Sequence, residues 1–235
     1  MALPKIEYPT FNVQLLSRKE PVKIRPFLVK EQKILMMAVE TKELDGVIDA
    51  LKQIINLCVV DDNFDVKDLP LIDIETLFLH LRARSVSENI DVYFKCKNEM
   101  EPGRECGMVI DIAVDLLNDV TIKNLISSNK IMLTDKIGVL MKYPSIKQLN
   151  MKDSDVDMVI DCIDKIFDED NVINASEASD DEIKDFVENL STNHYDKLMD
   201  FVASVPTIHY AKTQKCPRCS FEHNVVMEGL NDFFI

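Results

Sequence analysis

The residues with the clearest chemistry are four cysteines. Cys216 and Cys219 stand in Lys215-Cys216-Pro217-Arg218-Cys219-Ser220-Phe221-Glu222, a CxxC spacing that turns two thiolates onto one tetrahedral ion. The intervening proline suits a tight knuckle. Two sulfurs alone do not close such a site, and Cys96 and Cys106, more than a hundred residues earlier, share the same local idiom. In the first half, Val92-Tyr93-Phe94 precedes Lys95-Cys96, a polar turn with Pro102 and Gly103, then Cys106-Gly107 and an apolar run. The second half repeats it as Ile208-His209-Tyr210, Lys215-Cys216, a turn, Cys219, then Phe221 to Met227. Each half reads as a β-hairpin offering two cysteines at its tip, and Cys96, Cys106, Cys216 and Cys219 together are the expected ligands of a structural Zn²⁺. Four thiolates leave no open coordination position, so such an ion staples a fold and does no catalysis. The alternatives are unliganded cysteines or a redox CxxC, although the βαβ setting of the latter is missing. The nine residues between Cys96 and Cys106 exceed the usual knuckle spacing. His223 is a candidate substitute ligand or neighbour of the site, with His209 just upstream.

The elements that must position these sulfurs come from periodicity. Phe11–Leu16 and Val22–Arg25 suggest a hairpin. From Lys30 to about Val60, apolar residues at spacings of three and four predict two amphipathic helices breaking near Gly46, with Met36-Met37 as soft filling. Asp61 to Asp65 resembles the start of a calcium loop but lacks its glycine and closing glutamate, and is read as a plain loop. A helix follows over 74–84 with Leu77, Phe78 and Leu81 inward, and its lone His80 has no catalytic partner. Ile110, Ile112 and Val114 alternate with acids, as in a half-buried strand, and Ile137 to Met141 is a further strand. Val156, Val159, Ile160, Ile163 and Phe167 predict one acidic amphipathic helix. Ser179 and Glu182 have capping-box spacing at the next helix start, and a last helix runs from Tyr195 to about Ser204. Cys58 and Cys162 lie in apolar patterns as core residues.

The fold class is therefore α+β: a helical core with short β-hairpins and a zinc-knuckle-like Cys₄ site joining mid-chain to C-terminus. Its expected divisions are an N-terminal hairpin and helical region, 1–88; a zinc-hairpin module, 89–116 plus 206–235; and a mixed strand and acidic helical region, 117–205.

Acidic residues outnumber basic ones 41 to 27, for a net charge of −14. Phosphate backbones and anionic membranes repel such a chain. Neither a signal-like start nor a membrane-length apolar run is present, so the chain is expected in cytosol, where clustered thiols mean metal more often than disulfide. Walker A, GxGxxG, GxSxG and HExxH motifs are absent, and no enzyme activity is expected.

Several stretches resemble one family. These are Leu3-Pro4-Lys5-Ile6 with Tyr8-Pro9-Thr10, then Arg25-Pro26-Phe27-Leu28-Val29-Lys30-Glu31-Gln32, and Leu77-Phe78-Leu79-His80-Leu81-Arg82-Ala83-Arg84. With the knuckle cysteines and the ending Glu228-Gly229-Leu230-Asn231-Asp232-Phe233-Phe234, the chain resembles the baseplate hub proteins of T4-like contractile-tailed bacteriophages. The resemblance implies a phage-encoded structural subunit or assembly chaperone, made in the host cytoplasm, with hub and tape-measure proteins as partners and the tail baseplate as destination. The alternative is a zinc-ribbon adaptor contacting a protein or nucleic acid through Lys95, Lys97, Arg104, Lys215 and Arg218. A hydrolase would need two acids converging in an apolar cleft, to which nothing in the sequence points.

Overall fold

A computed structural model describes residues 6–41, 44–62, 64–125, 128–145 and 154–234. In chain order its elements are β1 (Phe11–Val13), β2 (Val22–Ile24), α1 (Val29–Thr41), α2 (Leu44–Cys58), a 3₁₀ turn (Val66–Asp68) and α3 (Leu71–Ser85). Next come β3 (Asn89–Lys95), β4 (Glu99–Glu101), β5 (Arg104–Glu105), β6 (Val109–Asp115), β7 (Thr121–Lys123), β8 (Lys130–Met132) and β9 (Gly138–Met141). The chain ends with α4 (Asp155–Asp161), β10 (Ile163–Phe167), β11 (Val172–Asn174), α5 (Asp180–Glu188), α6 (Thr192–Ala203), β12 (Thr207–Lys215), β13 (Glu222–Glu228) and α7 (Gly229–Phe234). The class is α+β, in two compact units.

The first unit comprises Met1–Phe64, Glu75–Lys123 and Thr207–Ile235. The expected N-terminal hairpin is present, with Phe11 opposite Ile24 and Val13 opposite Val22. In α2, Ile48, Leu51, Ile54, Ile55 and Cys58 are all buried, as their spacing requires. Gly46, near which a break was expected, lies inside that helix as its third residue, and residues 42–43 fall outside the described residues. Glu31, fully buried, organises the entry to α1: one carboxylate oxygen accepts from the Leu28 N–H at 2.7 Å, the other from Arg25 Nη2 at 2.9 Å. This is the return half of a capping box, made by a residue at the third helical position. Met36 and Met37 were expected as core filling but face solvent. They lie about 150° and about 110° around the helix from the centre of the stripe of Glu31, Ile34, Leu35 and Ala38.

Leu77, Phe78 and Leu81 of α3 are buried at 0–1% exposure. β3 and β6 form a seven-residue antiparallel ladder from Asn89↔Asp115 to Lys95↔Val109. Ile110, Ile112 and Val114 point inward and Val109, Asp111 and Ala113 outward, which is the alternation in the sequence. β13, β12 and β7 make a second sheet, with His209 opposite Glu228 at one end and Lys215 opposite Glu222 at the other. The buried Glu75 carboxylate accepts the Ile208 N–H at 3.1 Å and the Thr207 hydroxyl at 3.2 Å, anchoring the start of β12.

The second unit comprises Asp65–Ile74 and Asn124–Pro206. Its sheet, β11-β10-β9-β8, packs α4, α5 and α6 around Val139, Met141, Val159, Ile163, Val187 and Leu198. The single helix expected over 156–167 is corrected here. It ends at Asp161, and Ile163–Phe167 becomes the central strand β10, paired on both sides by β9 and β11. Apolar residues spaced for one helical face also include β-branched and aromatic side chains suited to a strand, and two available strand partners decide between the forms. Two of the aspartates in this acidic stretch also make local hydrogen bonds. Asp157 closes a capping box with Ser154, and Asp168 accepts the N–H groups of Asp170 and Asn171 in the β10–β11 turn. The capping box of Ser179 and Glu182 forms as its spacing predicts. Asn63 and Asp153 fall outside the described residues.

Candidate metal centre

The tips of the β3–β6 and β12–β13 hairpins meet through their cysteines. Cys96, Cys106 and Cys216 are 0–4% exposed, and Cys219 is partly buried beside them. Their four sulfurs all lie within 4.8 Å of one another. The closest approaches cross between hairpins: Cys96 Sγ to Cys219 Sγ is 3.6 Å, and Cys106 Sγ to Cys216 Sγ is 3.7 Å. A tetrahedron with metal–sulfur bonds of 2.3 Å has sulfur–sulfur edges of about 3.8 Å, whereas a disulfide is about 2.05 Å. All four thiols are free, and the cluster they form could hold a metal ion.

The two half-sites share a backbone frame despite their different lengths. The Cys96 N–H donates to Met108 O at 2.8 Å, and the Cys216 N–H donates to Phe221 O at 2.9 Å. Gly107 N–H returns to Cys96 O and Ser220 N–H to Cys216 O, both at 2.9 Å. Gly107 and Ser220, each directly after the second cysteine of its pair, have φ of +64° and +60°. That left-handed residue reverses the chain and brings the second sulfur beside the first. The long Cys96–Cys106 spacer is absorbed by the β4–β5 hairpin, turned at Gly103 with φ of +77°, while Pro217-Arg218 suffices in the other half. Sequence spacing alone concealed this equivalence.

The thiols compete for negative charge. Burial pushes Cys96 up to about 12, helped by the sulfurs of Cys219, Cys216 and Cys106 and opposed by the Asn98 N–H. Burial also disfavours charge on Cys216, but the N–H groups of Cys219 and Arg218 outweigh it and bring that thiol to about 6. Four sulfurs this close cannot all ionise without a cation among them, and a divalent ion relieves that conflict. The donor set thus fits a soft, tetrahedral, closed metal site.

Around the sulfurs, Arg218 Nη1 donates to Cys106 O at 2.9 Å, linking the two hairpins. His223 Nε2 sits 3.1 Å from Cys96 Sγ, whereas His209 turns away to Glu228 at 3.1 Å. Lys215 pairs with Glu222 at 3.1 Å and Arg104 with Glu101 at 3.7 Å, so two of the five basic residues near the knuckles have acidic partners close by. The other two buried cysteines are remote from this chemistry in kind: burial raises both Cys58 and Cys162 to about 11. Sequence reasoning missed Glu75, Ser220 and the partner of His223, for which no local signal exists.

The family model for the T4 bacteriophage base plate protein matches residues 8–235. The chain belongs to that family. It is a phage baseplate component, which places other baseplate proteins among its partners and the virion tail as its setting. No curated protein and no solved structure matches it significantly. Among the described residues, no helix is long and apolar enough to cross a membrane.

Proposed function

We propose that this baseplate protein is a non-enzymatic component of the baseplate hub, or a chaperone of hub and tail assembly, whose fold is stapled by one structural Zn²⁺ on Cys96, Cys106, Cys216 and Cys219. The observation that carries the metal is the cluster of four sulfurs within 4.8 Å of one another, with cross-hairpin distances of 3.6 and 3.7 Å. A site with all four positions taken by thiolates has none left for water or substrate, so the ion serves architecture. In this reading 89–116 and 206–235 form a zinc-hairpin module joined to the N-terminal region 1–88 and the acidic region 117–205. The protein is made in the host cytoplasm and meets hub and tape-measure proteins there. The adaptor alternative loses ground because Lys215 and Arg104 are already paired with glutamates and the whole chain carries a net charge of −14.

Native mass spectrometry of the chain, alone and mixed with the hub and tape-measure proteins, tests both halves of the proposal. One zinc per chain and a defined heteromeric complex are expected. A metal-free monomer that joins neither partner would remove the staple and the hub role together, and salt-sensitive binding to nucleic acid would move the assignment to the adaptor.

A further inference from the structure

His223 makes the two half-sites unequal. It stands four residues after the second cysteine of its pair, Cys219, and the residue four after Cys106 is Ile110. Ile110 is 3% exposed and packs with Cys96, Cys106 and Cys216. An apolar side chain therefore satisfies packing at this place in the frame. At the other such place an imidazole aims Nε2 at Cys96 Sγ from 3.1 Å. The ring is held edge-on by Phe94, centroid distance 5.2 Å at 68°, and by Phe221, 4.9 Å at 66°. Two aromatic rings thus pack edge-on against the imidazole.

A metal-bound thiolate is an acceptor only, so a hydrogen bond between the two requires a proton on Nε2. Four thiolates around a divalent ion leave a net charge of −2, and a directed N–H donor disperses part of it while holding the ligand in place. We propose that His223 is a positioning residue of the metal centre, donating Nε2–H to the Cys96 thiolate and thereby setting how tightly the ion is held. This rests on the zinc site proposed above.

His223→Ile tests it by installing the residue that the other half-site carries. Competition with a chromophoric chelator should show zinc affinity roughly 10- to 100-fold weaker, the range for loss of a ligand's hydrogen-bond partner. Iodoacetamide mapped by mass spectrometry should then label Cys96 faster than in the parent, relative to Cys216. His223→Gln, which keeps an N–H donor, should recover most of the affinity. Unchanged affinity and labelling in His223→Ile would overturn the proposal. So would a Co²⁺-loaded parent with a three-sulfur, one-nitrogen spectrum, since His223 would then be a ligand. If His223→Ile does not fold, long-range ¹⁵N spectra of the ¹¹³Cd-loaded parent decide: a proton on Nε2 is expected, and a proton on Nδ1 alone refutes it. A parent that binds no metal in the chelator assay would instead remove the zinc site itself, and this role with it.

Discussion

Removing the metal should melt the protein far below its loaded form. The proposed ion would join residues distant in sequence: Cys106 and Cys216 are 110 apart, and Cys96 and Cys219 are 123 apart. Closing a loop of the shorter length removes chain entropy from the unfolded state worth about 4.8 kcal/mol, by the relation that describes covalent cross-links. Domains are typically stable by only about 5–15 kcal/mol, so this one constraint is comparable with the whole margin. At about 2–4 °C per kcal/mol for a chain of this size, the transition should fall by roughly 10–20 °C. Scanning calorimetry of the zinc-loaded protein and of EDTA-treated protein, both with thiols kept reduced, measures it. Cys219→Ser should lose zinc and melt with the stripped parent, because binding free energy at a structural site is folding free energy. Coincident transitions for loaded and stripped protein, or a Cys219→Ser chain that keeps its zinc and the parental midpoint, would refute the reasoning.

Two further outcomes follow from the packing. Burial works against charge on Glu31, but Arg25 and the Leu28 N–H outweigh it and hold its carboxyl below the usual range. Its stabilisation is therefore fully present above the unfolded value near 4.5 and is lost as pH falls through the lower folded value. Glu31→Gln should flatten the acid limb of urea stability plotted against pH; an acid limb as steep as the parent's would count against this. Gly138→Ala should destabilise the second unit, since an added Cβ would lie 2.3 Å from Phe167 Cζ and 2.9 Å from Met132 Sδ. Displacing both side chains should cost about 1–3 kcal/mol, read as a lower urea midpoint, and an equal or higher midpoint would show that Phe167 moves aside freely.

Much of the fold was legible in local pattern. The burial of Ile48, Leu51, Ile54, Ile55 and Cys58 along α2, the alternation of Ile110, Ile112 and Val114, and the cap made by Ser179 and Glu182 depend on residues a few positions apart. Helical and strand periods, and the reach of a capping side chain, are properties of a short length of backbone. The sequence also determined the chemistry on offer: an acidic chain with cysteines at paired spacings, two of them a hundred residues from the others.

Tertiary structure decided the rest, for reasons of partnership. Ile163–Phe167 is a strand because β9 and β11 stand on either side of it, and no window around Phe167 contains both. Met36 and Met37 are exposed because α1 turns Glu31, Ile34, Leu35 and Ala38 inward. The nine residues between Cys96 and Cys106 look too many for a knuckle until β4 and β5 fold them out of the way. That Cys96 faces Cys219 and His223, over 120 residues later, depends on two hairpins docking tip to tip. Composition and spacing state which side chains are able to bind a metal, but the distances between their sulfurs are set by the packing that closes the chain upon itself.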